Sequence, residues 1–234
     1  TGQNTGDVDR ADVEVQNAQM TLAGGTLYIT GEIVNLGDAP ALINSFAGAA
    51  LDGSGMVVAA DYTLTLTRYL APAGDEGGAD RTPFIITADA AEDGDYSDFA
   101  TYFDADVGDE MLLPGLSLDL AGAYFDNFDS LHLVGSVTNN GSETMNVAVV
   151  AGLYDKDGLV LDAATTSLPI YVEPGATVPF QFAYFSNVNW NSDAAQAVDM
   201  DKQPVQFFAM TASRSATAAW TISRSCMARA SPKA

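Results

Sequence analysis

The chain carries one pattern twice. Leu27-Tyr-Ile-Thr-Gly31-Glu-Ile-Val-Asn35-Leu-Gly37 returns 104 residues later as Leu131-His-Leu-Val-Gly135-Ser-Val-Thr-Asn139-Asn-Gly141. The match continues with small slips of register. Asp52-Gly-Ser-Gly55-Met-Val answers to Asp155-Lys-Asp-Gly158-Leu-Val, Pro72 to Pro174, and Pro83-Phe84 to Pro179-Phe180. The first copy has a longer loop before its Pro-Phe, Gly74-Asp-Glu-Gly-Gly-Ala-Asp80. A period of about 100 residues is the size of a domain and too long for a solenoid unit. The 234 residues therefore divide into two copies of one domain, together long enough to bury a sizeable core.

Each copy reads as β-structure. Leu131, Leu133, Gly135 and Val137 fall on one side of an extended chain, and His132, Val134, Ser136 and Thr138 on the other. That alternation of period two marks a half-buried strand. Val147, Val149, Ala151 and Leu153 make a second stripe; Phe180, Phe182 and Tyr184 a third; Val205, Phe207 and Ala209 a fourth. In the first copy Leu64, Leu66 and Leu70 alternate with Thr63, Thr65, Thr67 and Tyr69. Between the stripes lie Asn139-Asn-Gly141-Ser, Asp155-Lys-Asp-Gly158 and Glu173-Pro-Gly175, which supply left-handed or fixed-φ turn positions. No amphipathic helix of ten or more residues is expected, only a short helical turn near 192–197. The fold class expected is all-β: two tandem antiparallel immunoglobulin-like β-sandwiches with a C-terminal extension. The boundaries expected are a polar segment 1–10, a first domain 11–112 with an acidic insert 87–112, a second domain 113–212, and a basic tail 213–234.

The second copy resembles the small immunoglobulin-like domain named for its Phe-x-Leu-Tyr-Asp signature. The residues that carry the resemblance are Leu153-Tyr154-Asp155, the preceding Gly135 to Asn139 stretch, and the following Pro174-Gly175 and Pro179-Phe180. Ala151 stands at the Phe position, and the first copy has Gly48-Ala-Ala-Leu51-Asp52 in place of the signature. The likeness covers roughly 12–86 and 116–210. It implies an extracytoplasmic binding or structural module of a prokaryotic protein and brings no catalytic residue with it.

Charge narrows the function classes. The chain has 31 acidic and 9 basic side chains, a net charge of −22, and 24 of its acids are Asp. Nucleic-acid binders carry a basic footprint, and an anionic membrane surface repels such a chain. No apolar run approaches the roughly 20 residues of a membrane helix. An Asp-rich, Lys-poor surface suits a salty or extracellular medium, and plain solubility accounts for it equally well. Residue 1 is Thr; a mature chain left after signal removal begins in this way, and so does a trimmed one. Secretion, to the exterior or the cell surface, is the expected localisation. Cys226 is the single cysteine and forms no internal disulfide or metal set.

Candidate chemistry is sparse. Within the acidic insert, Asp93-Gly-Asp95-Tyr-Ser-Asp98 places three carboxylates together, and clustered Asp is what Ca²⁺ takes. The EF-hand spacing is missing, and a solvated acidic loop explains the insert as well. No cofactor is expected to be required, with calcium the one ion to consider. Asp155-Lys-Asp157-Gly158 also opens like a calcium loop, but a hairpin turn explains it. His132, the only histidine, falls on the outer face of a strand, and without a second histidine a catalytic triad or His-based metal site has little support. Trp190, Tyr184, Phe185 and Tyr171 offer aromatic surface for a sugar, although aromatics at such positions mostly belong to cores. Paired carboxylates are too numerous here to single out a glycosidase.

The two ends differ in charge. Residues 1–201 hold all 31 acids and 4 bases, a net −27, whereas 202–234 hold five bases and no acid, a net +5. Arg214, Trp220, Ile222, Arg224, Arg229 and Lys233 are the tail residues expected to bind a partner. The tail either folds back onto its own acidic domains or adds a strand to a neighbouring copy, which is head-to-tail association and makes a fibre when the rotation does not close. The function expected is non-enzymatic: an extracellular structural or assembly subunit, in a filament or surface layer, using its basic tail on an acidic neighbour. Its expected partners are copies of itself or other protein subunits. The alternative is a cell-surface binding module for carbohydrate or protein, with or without calcium.

Overall fold

A computed structural model describes residues 2–4, 10–63, 67–74, 80–91, 94–108, 115–125, 131–155, 157–168, 171–182, 206–211 and 217–221. The first half contains β1 (Gly2–Asn4), β2 (Val13–Ala23), β3 (Thr26–Asn35), β4 (Ala41–Leu51), β5 (Val57–Thr63), β6 (Tyr69–Leu70), β7 (Arg81–Asp89) and β8 (Asp98–Val107). The second contains β9 (Leu116–Phe125), β10 (Leu131–Asn139), β11 (Val147–Tyr154), β12 (Val160–Ser167), β13 (Thr177–Phe182), β14 (Gln206–Thr211) and β15 (Thr217–Thr221). The alternation seen in the sequence sets the burial. Along β10 every odd-numbered residue from Leu131 to Asn139 is buried and every even-numbered one is partly exposed.

The strands form four sheets that pair into two sandwiches. In the first, β2-β3-β7 faces β1-β8-β4-β5, with β6 on the end of β4. In the second, β9-β10-β13 faces β12-β11-β14-β15. Strand for strand the halves agree: β2 with β9, β3 with β10, β4 with β11, β5 with β12, β7 with β13 and β8 with β14. This is the order of an immunoglobulin-like sandwich. Ile29, Ile33, Phe46, Phe84 and Phe103 fill the first core. Leu131, Leu133, Val149, Leu153 and Phe180 fill the second.

The repeated residues do the same work in both halves. Gly31 pairs with Phe84 and Gly135 with Phe180 across the ladder. A Cβ at either glycine would sit 2.7 Å or 2.6 Å from the ring, so each ring packs on a bare backbone. Buried Asn35 donates to the Ala39 and Ala71 carbonyls, 2.8 Å each, and accepts from Gly37 N. Asn139 does likewise with Glu143, Val172 and Gly141. The Gly-x-x-x-Asn-x-Gly repeat is thus a ring seat followed by a side chain that ties a turn to the opposite sheet.

Three expected boundaries move. The acidic insert is not a loop throughout: Asp98–Val107 is β8, hydrogen-bonded along most of β4. Thr101, Phe103 and Ala105 point inward while Asp104 and Asp106 alternate outward, so the acids mask a strand of period two. The second sandwich runs past residue 212, because Thr217–Thr221 pairs antiparallel with β14. The polar start joins the first sandwich, because β1 lies parallel to β8, beside it as β15 lies beside β14. The helical turn expected near 192–197 falls outside the described residues.

Candidate functional site

The sandwiches meet at a polar seat built on the outer face of β2-β3-β7. The end of β11 and the start of β12 come down on it. Tyr154 Oη donates to Glu32 Oε1 at 2.7 Å. Asn17 Nδ2 donates to Glu32 Oε2 at 2.6 Å, and Arg81 Nη1 lies 3.9 Å from the same oxygen. Arg81 Nε donates to Asp80 at 3.2 Å. Gln19 Nε2 donates to the Val160 carbonyl at 2.6 Å, and Thr30 Oγ1 donates to it as well. A Cβ at Gly152 would stand 3.2 Å from that of Pro83, so the backbones approach closely here.

Glu32 is 1% exposed. A buried carboxylate is costly unless charge and hydrogen bonds compensate it, and here both oxygens are engaged. Asn17 reaches Glu32 because β2 bulges at this point and Asn17 takes φ 51°, a left-handed conformation that Asn tolerates. Burial first, then the charge and hydrogen bond of Glu32, push the Tyr154 hydroxyl well above its ordinary value. Burial alone would lower Arg81; the Asp80 bond and the charges of Asp80 and Glu32 outweigh it and raise its pKa.

The repeat makes a second pair of surfaces. The counterpart of β12 is β5, the outermost strand of its sheet. Met56 is 67% exposed, Val57 57% and Tyr62 79%, with Val58 exposed beside them. The counterpart of the polar seat is the outer face of β9-β10-β13. There Tyr124 and His132 stack with ring centroids 4.8 Å apart, and the Gln181 side chain lies within hydrogen-bond distance of both. Val134, Ser136 and Pro179 continue the face in partial or full exposure.

Asp93 lies outside the described residues. Asp95 accepts from Gly53 N and Ser97 Oγ, and these two bonds, the Ser97 hydroxyl first, hold its carboxyl below the usual range. Asp98 begins β8 and bonds the Phe99 amide. Among the described residues no group of three or more His, Cys, Asp or Glu is placed to hold a metal. Asp155 Oδ1 accepts from the amides of Asp157 and Leu159, which is the hairpin turn. Trp220 is on β15, paired with Phe207; Arg214, Ile222, Arg224, Arg229 and Lys233 lie outside the described residues, as do Tyr184, Phe185 and Trp190. Tyr171 is exposed. Among the described residues no helix is long and apolar enough to cross a membrane.

Sequence reasoning missed the Glu32–Tyr154 seat and the β5 edge. The available signal was an acid at Glu32 in the middle of a strand with no other charge, and the exchange of Tyr154 for Leu51 between the copies.

No protein-family model matches the chain, and no curated protein matches it. Among solved structures, a calcium-binding mutant of the Bacteroides uniformis beta-glucuronidase 2 is similar at 12% identity and TM-score 0.27, over 88% of this chain and 28% of that one. The red sea bream transglutaminase is similar at 12% identity and TM-score 0.24, over 92% and 31%. A beta-glucuronidase from glycoside hydrolase family 2 is similar at 10% identity and TM-score 0.26, over 94% and 26%. The chain thus spans under a third of the length of these enzymes, and their activities are not carried to it.

Proposed function

We propose that the chain is a non-enzymatic structural subunit of the cell exterior, working through protein–protein contacts and associating with copies of itself. The observation that carries this reading is β5. Proteins commonly blunt an outermost strand with charge, proline or a covering element. The seven residues of β5, Val-Val-Ala-Ala-Asp-Tyr-Thr, carry one charge and no proline, and most of them stand in solvent. An exposed apolar strand on a chain of net charge −22 marks a contact surface. The resemblance carried by Leu153-Tyr154-Asp155 supports an extracytoplasmic module, and the Asp-rich surface supports a salty or extracellular medium. Static light scattering and negative-stain imaging of the whole chain test the reading, in about 1 M salt, where the Debye length is about 3 Å. Assembly predicts particles that grow with concentration; a monomer at every concentration overturns it.

A further inference from the structure

We propose that the partner of the β5 edge is the outer face of β9-β10-β13 in a second copy of this chain, so that one interface, already present inside the molecule, repeats between molecules. This rests on the self-association reading above and names its contact.

Within the chain, the β11–β12 edge of the second sandwich docks on the outer face of the first. Val160 is 0% exposed there, whereas Val57, its equivalent on β5, stands 57% in solvent. The register slips at the same place in both copies, between Leu153 and Tyr154 in one and between Ala50 and Leu51 in the other. The first sandwich therefore presents the same kind of edge, and the second the same kind of face, each without its counterpart among the described residues.

The substitutions between copies are concerted. In the internal interface Tyr154 meets Glu32, which Asn17 and Arg81 support. At the equivalent positions stand Leu51 on the edge, and Ser136 and Thr177 on the face. An edge that kept the tyrosine over a face without the carboxylate would bury a hydroxyl with no acceptor. Here the hydroxyl and the buried carboxylate are missing together, so the second pair is a version of the first without its polar seat. Charge agrees: β9, β10 and β13 hold Asp119 as their one acid and neither Lys nor Arg. In a chain with 31 acids, these are surfaces on which two copies approach with little repulsion. The edge and the face are different surfaces, so the contact is heterologous and adds copies until its rotation closes a ring, or without end where it does not close.

The test is sedimentation velocity on the whole chain in about 1 M salt. Val57→Asp damages the edge and Val134→Asp damages the face. The wild type is expected to grow with concentration and each variant alone to remain a monomer. An equimolar mixture is expected to stop at twice the monomer mass, because it offers one intact edge and one intact face. Tyr62→Lys and Gln181→Asp, at exposed positions, serve as a second pair where either first variant melts below the wild type. Variants that assemble like the wild type overturn this interface and leave self-association standing, as does a mixture that stays monomeric while the wild type grows. A wild type that is monomeric throughout overturns both.

Discussion

Glycine and asparagine at the repeated positions are there for what a side chain would do or must do. A Cβ at Gly135 would lie 2.4 Å from the Asp119 carbonyl oxygen and 2.6 Å from the Phe180 ring. The ring can shift, but the ladder carbonyl cannot shift without breaking the sheet. Gly135→Ala is therefore expected to destabilise the second sandwich by about 3 kcal/mol, the upper part of the range for overpacking, as read from a denaturant midpoint with unchanged slope. The repeat announces both glycines in the sequence. Their partner rings are not legible there, because Phe84 and Phe180 come from strands whose pairing the chain settles only on folding. Turn residues are local and legible: Asp52 and Asp155 each bond the amides of the residues two and four further on, which is an Asx-type turn.

Strand existence was legible wherever one face is apolar, as in β10 and β11, because period-two burial needs no partner to be recognised. It was not legible in β8, where Asp98, Asp104 and Asp106 interrupt the pattern and Thr101 adds no apolar signal to the inward Phe99, Phe103 and Ala105. Nor was it legible in β1, a short segment that becomes a strand only because β8 offers a row of backbone partners, whereas the β-compatible residues of β15 left open which edge they would join, and β14 supplies it. This sets an expectation for truncation. A chain ending at Ala212 lacks β15 and exposes the β14 edge; one ending at Thr221 keeps it. Hydrogen exchange is expected to show faster exchange in β14 and β11 for the shorter chain alone, with the first sandwich unchanged. Equal protection in both chains would mean that β15 adds nothing to the sheet.

The two sandwiches are joined through Glu32 and Tyr154, and this gives the whole molecule a pH dependence. The Tyr154 hydroxyl titrates well above its ordinary value in the folded chain, while in the unfolded chain a tyrosine loses its proton near pH 10. Above about pH 10 the folded state binds more protons than the unfolded one, so stability falls as pH rises, by up to about 1.4 kcal/mol per pH unit. Below that pH the contribution is fully present. Denaturant unfolding between about pH 9 and pH 11 is expected to show this slope, and Tyr154→Phe is expected to remove its share of it. An unchanged slope in the variant would mean that the hydroxyl is not held protonated at the seat.

By itself the sequence determined the duplication, the strand periodicity and the turns, since each is written within a few consecutive residues or by direct comparison of two segments. The tertiary structure decided which surfaces are covered. The sequence marks β5 and β12 as equivalent through Asp52-Gly-Ser-Gly55-Met-Val and Asp155-Lys-Asp-Gly158-Leu-Val, yet Val160 is buried and Val57 is not. The reason is that burial of an outer face depends on what packs against it, and among the described residues only one of the two equivalent edges meets a face.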